Sequence, residues 1–316
     1  MILLNQLIHY ISLAVSTALS GLTVSLGQGG INKVSLDALN RQPEAKSDIQ
    51  RSTLLALALT ETSSLLCFLV SIVMFLQNIQ FDYQAYSSIA MSISITVPGF
   101  ITGLITSLPA REAIYSISRQ PFFARKITNL MLLAQSLIQT PLIFGLVISL
   151  FIRYQSNYIE NVNQSLILIA AALAFVISSI GPAIGVGILA KSSCKNAGIN
   201  NHAFNKLFSF TIISQAIIET PIIFATIISF WMINIAKNYN YIDQYPILYF
   251  FIAFAIAIGT ISPGINSGRV ASIASNAIAY NPDSYNMVSK MSLLTQGLIE
   301  TCVIYAFIIS LALMIL

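Results

Sequence analysis

Glu61, Gln139, Glu219 and Glu300 recur at intervals of 78, 80 and 81 residues, each followed by Thr and each set in the middle of a long apolar stretch. A carboxylate at mid-bilayer depth costs about 2.5 to 3.5 kcal/mol on insertion scales, so it seldom stands there without a task. The task a carboxylic acid can perform is to load and release an ion. Desolvation favours its neutral form, and a nearby positive charge favours the ionised one. Gln139 keeps the shape without that chemistry, because an amide neither releases a proton nor neutralises a cation. The series therefore sets three titratable glutamates, Glu61, Glu219 and Glu300, against one position that cannot titrate, Gln139.

The neighbours refine this reading. Thr62, Thr140, Thr220 and Thr301 follow the key positions, and a threonine in an apolar helix commonly bonds a preceding carbonyl of its own helix. Pro141 and Pro221 remove the N–H partners of the Leu137 and Ile217 carbonyls, two residues before Gln139 and Glu219. An oxygen freed in hydrocarbon must find a partner. A bound cation or water is one candidate, and the side chain of Gln135 or Gln215 is the other. Gln135, Gln215 and Gln296 stand one turn before their key residues, where the first copy has Leu57.

The elements that hold these residues must be membrane helices. Of 316 residues 56% are hydrophobic and 8% charged, and mean hydropathy is +0.80; soluble domains carry about 25% charged residues. A helix crosses a hydrocarbon core with about 20 residues. Eight segments suffice, near 7 to 36, 51 to 77, 85 to 114, 126 to 153, 164 to 193, 206 to 236, 246 to 278 and 287 to 315. The first lacks a basic leader and outruns a signal peptide's apolar core, so it reads as a retained helix with no targeting segment evident.

Charge placement orients them. Lys33, Arg41, Lys46 and Arg51 follow the first span; Arg111, Arg119, Arg125 and Lys126 the third; Lys191, Lys195 and Lys206 the fifth; Arg269 and Lys290 the seventh. Only Arg153 and Lys237 fall in the opposite connections, beside Asp82, Glu160 and Asp243. The positive-inside rule puts the basic loops in the cytoplasm and both termini on the other side. Basic residues dispersed over short hairpin loops argue against a nucleic-acid partner. Cys67, Cys194 and Cys302 have no metal-ligand spacing and read as packing residues. His9 and His202 read as interfacial polar residues.

The period of about 80 residues makes the architecture a tandem repeat. Its limits are 1–80 (Glu61), 81–158 (Gln139), 159–240 (Glu219) and 241–316 (Glu300). Arg41-Gln42-Pro43, Arg119-Gln120-Pro121 and Tyr280-Asn281-Pro282 mark three turns; their first residues, and Ile199 in the third copy, each precede the key position by 20 residues. Two spans per copy give successive copies the same orientation, unlike the inverted repeats of many secondary transporters. The fold class is thus all-α and integral to the membrane: eight transmembrane helices as four parallel hairpins, assembling into a ring. Gly27, Gly29, Gly30, Gly99, Gly103, Gly181, Gly185, Gly187, Gly259, Gly264 and Gly268 lie on the odd-numbered spans. There they allow the close backbone approach of a crowded inner wall.

These residues resemble a known family, the c subunit or proteolipid of the rotary ATP synthase membrane sector. The segment from Gly27-Gln28-Gly29 through Arg41-Gln42-Pro43-Glu44-Ala45 to Leu59-Thr60-Glu61-Thr62 is similar to almost the whole core of a single-hairpin member. Ser214-Gln215-Ala216-Ile217-Ile218-Glu219-Thr220 and Thr295-Gln296-Gly297-Leu298-Ile299-Glu300-Thr301 repeat it more loosely. The resemblance implies a rotor segment whose partners are copies of itself in a ring, a stator a-type subunit, central-stalk subunits and membrane lipid. The stalk would meet the loops that carry Arg41, Gln42, Pro43, Arg119, Gln120, Pro121, Asn281 and Pro282. It implies that the three acids, Glu61, Glu219 and Glu300, bind the ion and that Gln139 is silent. It implies no cofactor, with proton as the default transported ion and Na⁺ as the alternative. In Na⁺-type rings the family uses a hydroxyl at the Thr62, Thr140, Thr220 and Thr301 positions as a ligand, and a glutamine at the Gln28 position. The later copies have Thr106, Val186 and Ser267 at the Gln28 position. Gln215 and Gln296 would support the site, either by stabilising a protonated acid or by holding a hydrated one. The machine would reside in an energy-coupling membrane. Fused hairpins suggest V- or A-type machines, while the Arg-Gln-Pro loop looks F-type.

The chain should not hydrolyse nucleotide itself, for it lacks a Gly-rich phosphate loop ending in Gly-Lys-Ser/Thr. The alternative function is an eight-helix ion-coupled secondary transporter, which would gather diverse polar groups about one central pocket. A structural scaffold would pair the acids with basic residues, and no Lys or Arg occupies a comparable mid-span position.

Overall fold

The computed structural model describes residues 2–77, 79, 81–238 and 246–315. Asp243 and the hairpin limits at 80 and 240 lie outside them. The helices are α1 (Ile2–Arg41), α2 (Lys46–Phe75), α3 (Asp82–Ile105), α4 (Ser107–Arg119), α5 (Ala124–Ile138), α6 (Thr140–Gln155), α7 (Val162–Ala197), α8 (Phe204–Ile218), α9 (Thr220–Asn238), α10 (Pro246–Tyr280) and α11 (Tyr285–Ile315). They compose eight candidate membrane spans, and no strand occurs among the described residues. The first span extends past its expected end at 36 as far as Arg41, because nothing between them breaks a helix until the Gln42-Pro43 step. A residue before proline is pushed out of the helical region. Gln42 accordingly has φ −138° and Gln120 φ −134°, and in each case the proline then opens a short 3₁₀ turn. The third loop has no proline. There the Asn200 side chain accepts from the His202 backbone N–H at 3.0 Å and starts an equivalent turn.

Prolines also accompany the interruptions of spans, although Pro98, Pro182 and Pro263 lie inside unbroken helices. α5 stops at Ile138 and α6 starts at Thr140; α8 stops at Ile218 and α9 starts at Thr220. Both breaks fall two residues before a proline whose missing N–H cannot complete the ladder. Glu61 and Glu300 are followed instead by Thr62-Ser63 and Thr301-Cys302, and they lie within unbroken helices, α2 and α11. Pro109 likewise accompanies the break in the third span, which divides at Thr106 into α3 and α4.

The hairpins stand side by side in two layers. In one layer α1 packs on α3 and α4, these on α7, and α7 on α10; in the other α2 packs on α5 and α6, these on α8 and α9, and these on α11. Backbones meet closely in the first layer. A Cβ on Gly27 would fall 2.5 Å from the Gly103 carbonyl oxygen, and one on Gly181 would fall 2.6 Å from the Ile261 Cα. Within each hairpin a serine pins the layers together. The Ser71 hydroxyl lies 3.3 Å from the Leu13 carbonyl and 3.1 Å from the Cys67 carbonyl of its own helix, while Ser149 donates to Met91 (3.1 Å), Ser229 to Ala171 (2.8 Å) and Ser310 to Ile252 (3.5 Å), each interhelix pair spanning 58 residues. The row has two open edges. In the most apolar window of each span, 67% of residues are buried in the third and 72% in the fifth, against 33% in the first and 22% in the last.

Polar contacts tie neighbouring hairpins at both ends. Gln120 donates to the Gly198 carbonyl at 3.1 Å and Asn200 to the Ala279 carbonyl at 2.9 Å, so successive turns are linked in the same way. Tyr115 donates to Asp37 at 2.9 Å, and Asp37 also pairs with Arg41. At the far end Asn5 donates to Asp82 at 2.5 Å, and the His9 ring bonds the Ser88 hydroxyl at 2.9 Å. His9 is only 3% exposed, enclosed where the first two hairpins meet.

Candidate functional site

The second layer carries the four key positions, and the packing sets each beside the preceding hairpin. Thr220 of the third hairpin lies 2.5 Å from a carboxyl oxygen of Glu300 in the fourth. The Thr140 hydroxyl is likewise hydrogen-bonded to Glu219. Each threonine thus serves the acid of the next hairpin, across about one repeat of sequence. Thr140 keeps this place although its own hairpin has Gln139. In both carboxyls the other oxygen, Oε1, is buried and has no protein partner among the described residues.

Hydrogen counting constrains the Thr220 contact. The same hydroxyl donates to the Ile217 carbonyl at 2.9 Å, and a hydroxyl has one hydrogen. Both contacts are full two-centre hydrogen bonds when Glu300 carries a proton and donates it to the threonine oxygen; otherwise they share one hydrogen. An ionised Glu300 would instead draw the threonine hydrogen and leave the Ile217 carbonyl, already deprived of its helix partner by Pro221, with at most a share of that donor. The set of carboxylate, hydroxyl and backbone carbonyl oxygens also suits a hard cation such as Na⁺.

The break at Gln139 is filled differently. Its amide Nε2 donates to the Leu59 carbonyl, which also receives the Thr62 hydroxyl at 2.7 Å. Gln139 therefore links the first two hairpins. Gln139 is buried, with 8% exposure. By contrast Glu61 is exposed on the open edge of the first hairpin, and Thr301, bonded to its own Leu298 carbonyl at 2.7 Å, is only partly covered at the edge of the last.

The glutamines do not satisfy the carbonyls freed by proline, contrary to the second candidate above. Thr220 reaches the Ile217 oxygen instead, because its short side chain is one turn away on the same helix face. Gln135 donates to the Thr106 carbonyl at 3.0 Å and the Ala56 carbonyl at 3.4 Å. Gln28 donates to the Leu57 carbonyl at 3.4 Å. These two bonds are mirror versions of one another, since Gln28 corresponds in register to Thr106 and Leu57 to Gln135. In the first hairpin the glutamine sits on the inner helix, and in the second it has moved to the outer one. Gln296 donates to the Ser292 hydroxyl at 3.0 Å. Gln215, whose inner counterpart is Val186, is fully buried, with both side-chain polar atoms unpartnered among the described residues.

The turn residues gather at one end of the row. Arg41, Gln42, Pro43, Arg119, Gln120, Pro121, Asn281 and Pro282 belong to successive turns, and Lys206 donates to the Pro282 carbonyl at 2.8 Å. The pinning serines were not singled out from the sequence. Their signal was available, for Ser71, Ser149, Ser229 and Ser310 each stand ten residues after a key position, Gln139 included.

The profile of the ATP synthase c-subunit family matches residues 11–74, 169–232 and 250–313, which takes in Glu61, Glu219 and Glu300 and passes over the hairpin of Gln139. The ATP synthase c subunit of Dehalococcoides mccartyi is 41% identical over 69 residues, 22% of this chain and 91% of that protein. An ATP synthase c subunit of Cereibacter sphaeroides, the one numbered 2, is 36% identical over 62 residues, 20% of this chain and 75% of that protein.

Proposed function

We propose, from the premise that the chain belongs to the ATP synthase c-subunit family, that it is a rotor proteolipid. Four fused hairpins form one sector of a ring that turns against a stator subunit in a rotary ATP synthase or ATPase. Glu61, Glu219 and Glu300 pick up an ion from one side, carry it neutralised past lipid, and release it to the other. The ion is a proton by default, with Na⁺ as the alternative, and the energy it delivers is about 2.3 kcal/mol per charge per 100 mV. Nucleotide chemistry belongs to other subunits, reached through the polar turns and a central stalk on the cytoplasmic side.

The observation that carries this reading is the bonding of Glu219 and Glu300 to the threonine hydroxyl of the preceding hairpin. A site shared between neighbours is incomplete at a free edge, and the row has two. Glu61 at one edge lacks a preceding threonine, and Thr301 at the other lacks a following acid. A second copy placed next in the row supplies each to the other, so repetition closes a ring and completes the third site. A secondary transporter would converge its polar groups on one pocket, whereas these sites are spread along the row.

Carbodiimide labelling of the intact membrane complex tests the reading. Labels should appear on Glu61, Glu219 and Glu300, and Glu300→Gln should abolish or severely impair ion-driven rotation. Normal pumping by that variant would sink the assignment. At fixed pH, slower labelling on addition of Na⁺ identifies Na⁺ as the ion, and no protection at any Na⁺ concentration identifies the proton.

A further inference from the structure

We propose that the cleft between α2 and α5, at the end of the row that bears the polar turns, binds the phosphate headgroup of an anionic phospholipid. The cleft has a volume of about 270 Å³ and is lined by Asp48, Arg51, Ser52, Leu55, Arg125 and Thr128, with Asn129 and Leu132 completing it. Its floor is the buried Ser52–Thr128 hydrogen bond of 2.6 Å, which holds the two helices together beneath it. Arg51 and Arg125 are exposed and, among the described residues, neither has an ion pair or hydrogen bond. Two free guanidinium groups facing one cleft suit a phosphate, whose oxygens accept paired N–H donors.

Depth selects a lipid as the source of that phosphate. Arg51 and Asn129 each precede the key residue of their helix, Glu61 or Gln139, by ten residues. At 1.5 Å per residue this is about 15 Å, half of a hydrocarbon core of about 30 Å. Key residues at the midplane therefore put the cleft at the level of lipid phosphates. Arg125 lies one turn nearer the loop, while Leu55 and Leu132 continue the cleft toward the hydrocarbon, where an acyl chain would run. Two guanidinium groups and the Asp48 carboxylate leave one net positive charge, matching a phosphodiester, and Asp48 can accept from a headgroup hydroxyl. Basic pockets between membrane helices are recognised binders of phosphorylated headgroups.

The site is particular to this pair of hairpins. At the register of Arg51 the later copies have Asn129, Ser209 and Lys290, and at that of Arg125 the other copies have Ser47, Asn205 and Asn286. One lipid per chain is expected, on the outer face beside Gln139. The inference is independent of ion carriage.

The test uses the full-length chain in phosphatidylcholine nanodiscs with and without phosphatidylglycerol. Native mass spectrometry should find one retained phosphatidylglycerol per chain, and the double variant Arg51→Gln with Arg125→Gln should lower its occupancy at least tenfold. The charge-matched control Lys195→Gln with Lys290→Gln should retain it. Equal retention by all forms, or equal loss by the control, overturns the proposal. Phenylglyoxal modification of the unaltered chain gives a reading that does not depend on the folding of variants. Phosphatidylglycerol should protect Arg51 and Arg125. Protection by inorganic phosphate in phosphatidylcholine alone, or no protection by phosphatidylglycerol, overturns the lipid assignment.

Discussion

Thr220→Val isolates the shared site, because valine keeps the size of threonine and removes only the hydroxyl. That hydroxyl bridges Glu300 at 2.5 Å and the Ile217 carbonyl at 2.9 Å, and the other Glu300 oxygen already lacks a protein partner among the described residues. The variant leaves the whole carboxyl without a protein bond. A buried polar group so orphaned costs about 1 to 3 kcal/mol. Taking about 1.4 kcal/mol as the loss of the closed arrangement gives roughly tenfold more of the open, reactive form. The assay is carbodiimide labelling of the chain in its membrane complex, at a pH low enough that every acid is protonated, with peptides resolved by mass spectrometry. Glu219 in the same chain is the internal standard, since its partner Thr140 is untouched. The ratio of Glu300 to Glu219 labelling should rise about tenfold. An unchanged ratio would refute the argument that the preceding threonine holds the acid closed.

Other expectations concern the frame around the sites. Gln139→Leu should leave labelling of the three glutamates intact and cost only about 0.5 to 1.5 kcal/mol, because the Leu59 carbonyl keeps its bond from Thr62; thermal denaturation of the purified chain measures it. Ser229→Ala should destabilise by about 1 kcal/mol and Ser310→Ala by less, following bond lengths of 2.8 and 3.5 Å, and the reverse order by urea titration would contradict the pinning role. Gly181→Ala should cost about 1 to 3 kcal/mol or more, since its Cβ would meet the Ile261 backbone, whereas Gly21→Ala, with nothing within 4 Å, should be tolerated; midpoint temperatures compare them. In a Cys302→Ser background, Glu61→Cys with Thr301→Cys should form disulfides between chains under mild oxidation. Only intrachain or monomeric species on a denaturing gel would exclude the edge-to-edge joint.

Much of the fold was legible because its causes are local. Apolar runs long enough to cross a bilayer, the polar triplets that interrupt them and the fixed distance to the next acid gave eight spans in register. Pro141 and Pro221 marked the freed carbonyls of Leu137 and Ile217, since a missing N–H acts on its own helix, but not the breaks at Gln139 and Glu219, because Pro98, Pro182 and Pro263 sit inside unbroken helices. Other contacts could not be read that way. Gln135 and Gln215 were plausible partners for the freed carbonyls by spacing alone, yet the rotation of α5 turns Gln135 to Thr106 and Ala56. Nor did the position of His9 in the chain name the neighbouring hairpin that encloses it.

By itself, then, the sequence determined the repeat, the span count, the family likeness and the identity of the three acids. Each depends on residue type and spacing within one helix or one hairpin. The tertiary structure decided which threonine meets which acid, that Gln139 is bonded to Leu59, that serines pin the two layers, and which edges stay open. Those are pairings across 58 to 80 residues, fixed by the rotation of each helix about its axis and by the helix it packs against. A linear pattern names the face a residue occupies, and only packing says what stands opposite.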